Sequence, residues 1–178
     1  MDTVSDYKQR LALHLLDVCH SHGLLEGDLL QTPDLDDKWR QLAPEFLADA
    51  IPEFNGYPEA VLAWAAYLGT AVAWGWDTDW EQYSTKDYTF WRGEKGFDCM
   101  DEHITEDILG LPLGEDAAVD LAARVGCLGR YAYGFLLHAG LEAGSTDAFQ
   151  AVLATLEVLY TVAASVELYA LGYKWSQA

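Results

Sequence analysis

Residues 146–171, TDAFQAVLATLEVLYTVAASVELYAL, decide the fold class. An apolar run of this length exceeds any ordinary strand and fits a helix that is hydrophobic on nearly every side. From Ala148 to Tyr173 it is long enough to cross a bilayer, yet it carries Glu157 and Glu167 and has only Lys174 beside it. Two carboxylates inside and so weak a basic flank argue for a helix buried in protein.

Working upstream, Glu115 to Ala143 reads as a second long apolar helix, and Gly144-Ser145 as a tight turn. Together they predict an antiparallel helical hairpin at the centre of the fold. Gly126, Gly129, Gly134 and Gly140 each cost about 1 kcal/mol against Ala inside a helix, so close approach of another helix backbone is the expected compensation. Counting outward from Ser145 places Arg124 near Glu167 and Arg130 near Glu157. Unpaired carboxylates in so apolar a helix are costly, so two cross-hairpin ion pairs are expected.

The earlier chain repeats the helical pattern. Val4, Leu11, Leu15 and Val18 predict a helix over about 4–22, closed by Gly23. Asp34 can cap a second one with Leu35, Trp39, Leu42 and Phe46 inward, which Pro44 should kink or split. Pro58 opens a third that delivers Trp74, and Asp98 begins a short one with Met100, Ile104 and Ile108 inward. Tyr88-Thr89-Phe90-Trp91 is the one strand-like run, too isolated for a sheet. The expected architecture is all-α, a single domain over residues 1–178 built as a bundle of five to seven helices.

Charge narrows the partners. Ten Lys and Arg face 29 Asp and Glu, a formal charge of −19 spread along the chain. Such a surface repels nucleic-acid phosphates and anionic membranes. It suits solvation alone, a basic protein partner or a cation, with self-association through the aromatic stretch or the glycine-rich hairpin as a variant of the partner reading. Cys19, Cys99 and Cys127 are odd in number and widely spaced, and the N-terminus lacks a secretory signal, so a cytoplasmic protein with free thiols is expected.

The chemistry-bearing stretch begins at Trp74-Gly-Trp-Asp-Thr-Asp-Trp80 and runs through Tyr83, Tyr88, Phe90, Trp91 and Phe97 to His103. Ring faces attract cations and neighbouring carboxylates reinforce that, so Trp74, Trp76, Asp77, Asp79, Trp80 and Trp91 are the candidate binding residues. Packing at the bundle end is the competing role for the rings. Asp77, Asp79 and Glu81 alternate like the start of a calcium loop, but Gln82 and Tyr88 stand where such a loop needs Gly and Glu.

Asp98, Glu102 and Glu106 share one helical stripe beside His103 and Asp107. A solvated acidic face is the simple reading. If the turn at 77–81 folded over it, Asp79, Glu102, His103 and Glu106 could ligate a divalent metal. A di-iron centre lacks its Glu-x-x-His spacing, and a reactive Cys99 is opposed by the acids around it. No phosphate loop or Gly-x-Ser-x-Gly occurs, so no cofactor is expected. Two functions follow: a non-enzymatic interaction protein of inhibitor, immunity or adaptor type with an acidic, aromatic surface, or a metal-binding or metal-dependent hydrolase-like bundle.

Overall fold

The computed structural model describes residues 3–174, which form seven helices and no strand. In chain order these are α1 (Thr3–Ser21), α2 (Pro33–Phe54), α3 (Pro58–Tyr83), α4 (Tyr88–Arg92), α5 (residues 97–108), α6 (Asp116–Leu137) and α7 (Thr146–Ala170). The fifth is composite. A 3-10 turn at Phe97–Cys99 leads through one α-helical turn at Met100–Glu102 into a π-helical turn at His103–Ile108.

The axis of the bundle is α7 against α3, with α1 and α6 packed on this pair. Both central helices are apolar on nearly every side, so they are sealed by neighbours: Leu156, Leu159, Val162 and Val166 of α7 and Leu62, Ala65, Leu68 and Val72 of α3 are all buried. By length and composition α7 is the one helix among the described residues that could cross a membrane, and 72% of its apolar window is buried inside the bundle. At the crossing, a Cβ on Gly69 would overlap the backbone carbonyl oxygen of Tyr160 and stand 2.9 Å from its carbon. Only glycine allows that approach.

The C-terminal hairpin needs correcting. Helix α6 stops at Leu137, where the His138 ring bonds back to the Gly134 carbonyl at 2.7 Å, and Gly140 lies outside the helix with φ +74°. Residues 138–145 therefore form a longer link, ending at Ser145, whose hydroxyl accepts the Ala148 N–H and caps α7. With the link that long, α6 packs more on α3 than on α7. Gly129 does face α3, with a Cβ position 3.5 Å from the Ala63 nitrogen. Gly134 faces open space and Gly126 meets only the Arg130 side chain, so close packing explains neither.

Of the two expected ion pairs, Arg124 and Glu167 meet at 3.7 Å. The other is replaced: Lys8 of α1 pairs with Glu157, and Arg130 is exposed. The register counted from a two-residue turn ignored α1, which covers that part of α7.

Helix α2 also differs from expectation. Thr32, not Asp34, is its cap, and Pro33 takes the first helical position. Pro44 and Pro52 lie inside the helix without dividing it. Both are exposed, so the carbonyls they leave unbonded face water, while Leu42, Phe46 and Ala50 hold the other side in the core.

Candidate functional site

Helix α3 carries the start of the aromatic stretch, from Trp74 to Thr78, and then breaks. Asp79 is extended, with φ −168° and ψ 85°, and its carboxylate accepts the Gln82 N–H at 3.3 Å. That is an N-cap arrangement restarting one short helical turn, closed by the Ser84 N–H on the Trp80 carbonyl. Asp79 thus has a structural task.

The break turns Tyr83 back against Trp74, ring centroids 5.2 Å apart. Gly75 makes room for this, since a Cβ there would lie 3.1 Å from both the Trp91 ring and the Tyr83 Cβ. Lys38 then fixes the returning chain. Its buried ammonium donates to the carbonyls of Ser84 at 2.8 Å and Lys86 at 2.7 Å, and to Gln41 Oε1 at 2.7 Å. Burial pushes the ammonium pKa down, partly offset by Asp87. Three good acceptors are what allow a charge to be buried there.

Asp87 caps α4 by accepting the Phe90 N–H, so the strand-like run is helical. Inside it Trp91 is fully buried with no hydrogen-bond partner for its indole N–H, and the buried Tyr88 donates to Asp49 Oδ2 at 2.8 Å. Trp74, Trp76 and Trp80 are half-buried against the core. The expected aromatic surface is therefore mostly a wall: Trp91 belongs to the core, and Trp74 packs on Tyr83.

Between α4, the link at residues 93–96 and α5 lies a cleft of about 550 Å³. Its lining holds five carboxylates, Asp87, Glu94, Glu102, Glu106 and Asp107, against Lys95 and His103. Phe90 supplies an aromatic wall, with the Lys86 ammonium 5.2 Å from its ring centroid. The cleft depends on Gly93, whose φ is +91° and where a Cβ would stand 2.6 Å from the His103 ring. His103 places Nε2 2.8 Å from the Phe90 carbonyl oxygen and Nδ1 2.9 Å from Asp107 Oδ2. Both ring nitrogens are thereby engaged.

This geometry corrects the metal expectation. Among the described residues no three His, Cys, Asp or Glu side chains converge to hold a metal ion. Asp79 is committed to its cap, both His103 nitrogens are engaged, and Glu102 and Glu106 are exposed. Met100, Ile104 and Ile108 point inward, leaving the acidic stripe solvated. Cys99 lines the cleft, but both His103 nitrogens are already hydrogen-bonded, one to Asp107 and one to the Phe90 carbonyl.

The remaining predicted residues gather at one end of α3. Trp76 Nε1 donates to Asp34 Oδ2 at 3.0 Å, and Asp77 Oδ1 accepts the Tyr173 hydroxyl at 2.8 Å. Sequence spacing marks neither Asp34, read there as a helix cap, nor Tyr173 as a partner of these residues, because no local pattern connects positions 34, 76 and 173. Nearby, burial raises the pKa of Glu167, which Arg124 opposes and Asp77 reinforces. Burial likewise raises Asp101 beside the cleft, and pushes the Tyr67 hydroxyl up to about 12 with help from Asp101. No family model matches the chain, and no curated protein or solved structure matches it.

Proposed function

We propose that this is a non-enzymatic interaction protein whose cleft between α4 and α5 receives a basic side chain or segment of a partner protein. The observation that carries the reading is the composition of that cleft: five carboxylates face two basic groups around an aromatic ring. Lys86 already lies over that ring, so an internal ammonium illustrates the chemistry a partner's lysine would use. Electrostatic complementarity of this kind mainly sets on-rate and choice of partner. The surplus of 19 negative charges steers any basic protein toward the molecule, and the cleft gives it an address.

A fluorescent hexalysine peptide, titrated at 50 and 150 mM salt, tests this. Wild type is compared with a Glu94→Gln, Glu102→Gln, Glu106→Gln variant. A second variant removes three exposed charges elsewhere, Glu26→Gln, Asp120→Asn and Glu142→Gln. The cleft variant is expected to bind about tenfold more weakly than the control variant, matching the loss of roughly 1–2 kcal/mol of charge pairing. Equal weakening by both would mean diffuse attraction with no site.

A further inference from the structure

A second concavity, about 640 Å³, lies where the end of α7 meets the loop before α2. Trp76 and Tyr173 form its aromatic wall, with ring centroids 5.6 Å apart and planes at 60°. The rings are tilted and do not stack. The polar tip of each ring is anchored to a carboxylate, the indole N–H to Asp34 and the phenol O–H to Asp77. Donation to an anion fixes each ring in place and adds electron density to its face, the side that attracts cations.

Asp28 is the one carboxylate and Lys174 the one basic residue in the lining, with Asp34 and Asp77 reaching it only through the rings they hold. Leu29, Leu30 and Leu168 supply apolar surface. A primary ammonium must keep three N–H donors bonded, which the ring faces and leucines do not offer, so it would sit instead against Asp28, Gln31 and Thr32 of the same lining. A cation wrapped in methyl groups needs no hydrogen bonds and gains from both the ring faces and the leucines. We infer that the Trp76–Tyr173 corner is a binding site for a quaternary ammonium group, carried either by a choline-like small molecule or by a trimethylated lysine side chain. This site is separate from the cleft at α4 and α5 and stands whether or not that cleft binds a partner.

The test follows the Trp76 indole N–H by NMR, assigned with Trp76→Phe, during titration with choline chloride. The neutral isostere 3,3-dimethylbutan-1-ol and sodium chloride at matched ionic strength serve as controls. Choline should shift the signal saturably and bind at least tenfold more tightly than the isostere, the factor expected when a cation loses its contact with aromatic faces. Tyr173→Leu, at an exposed position beyond the last helix, should weaken choline at least tenfold, with the fold checked by circular dichroism. Equal binding of choline and its isostere, the same shift from sodium chloride, or undiminished binding by Tyr173→Leu would overturn the proposal. A trimethyllysine peptide that binds more tightly than choline assigns the site to a protein tail, and the reverse order assigns it to a small cation.

Discussion

Helix α3 takes part in two regions built on opposite terms. Around Gly69 it meets α7 backbone to backbone, with side chains that are almost all apolar. Beyond Trp74 the same helix is held by polar ties from other elements: Asp34 on Trp76, Tyr173 on Asp77 and Lys38 on the carbonyls of Ser84 and Lys86. The first region resists change because nothing in it can move aside. The second can yield locally at Trp76 and Asp77, each tied by a single exposed hydrogen bond, while the buried Lys38 anchors the segment beyond them. A tightly packed crossing supplies rigidity, while a chain pinned by separate bonds supplies concave surfaces.

The strongest way to break this contrast is Gly69→Ala. Its methyl group would meet backbone that belongs to another helix, so α3 and α7 must separate. A loss of about 3 kcal/mol is expected, at the upper end of overpacking costs. For a chain of this size that lowers Tm by about 6–12 °C, with a single cooperative transition in calorimetry. A loss below about 1 kcal/mol would show that the crossing is looser than described.

Gly93→Ala probes the yielding region. A positive φ and the contact with the His103 ring together should cost about 2 kcal/mol, measured by urea denaturation. Because the His103 ring can swing away, the cost should shrink by about 1 kcal/mol when measured in a His103→Ala background, leaving the backbone strain. An unchanged cost would place all of the effect in the backbone.

Two smaller effects sharpen the comparison. Gly134→Ala fills open space on α6 and should stabilise the protein by about 0.5–1 kcal/mol, read as a higher Tm, since only helix propensity changes. Mild acid should also stabilise. Glu167, Asp36 and Asp101 are all raised by burial, so the folded chain binds protons more readily than the unfolded one. Stability therefore grows as pH falls from neutral toward the ordinary carboxylate range and is lost as pH rises through the folded-state values. Thermal melts between pH 7.5 and 5.5 should show Tm rising, with a shallower rise for Glu167→Gln. A Tm that falls across that interval would contradict the burial of these carboxyls.

Helical periodicity made the class legible, since Leu11, Leu15, Met100, Ile104 and Ile108 are all buried. What local pattern could not convey was which helix meets which. Gly69 sits in a run that is apolar but for Thr70 and carries no signal, whereas Gly134 carries a signal that the packing does not use. The acidic stripe of α5 could be read from its spacing, but the cleft needed the return of α4, which follows from the break at Asp79 and the anchor at Lys38. A capping aspartate and a liganding aspartate look alike in sequence, so local pattern cannot separate the two roles for Asp79.

Lys38 has one more consequence, in reactivity. Acylating reagents attack a lysine only through its free amine, and this nitrogen is buried, with all three donor positions occupied. Among the five lysines of the chain it should be labelled last, at a rate set by how often the segment after α3 comes loose. Timed labelling read by mass spectrometry would turn that side chain into a built-in clock for local opening of the cleft wall, with no probe attached.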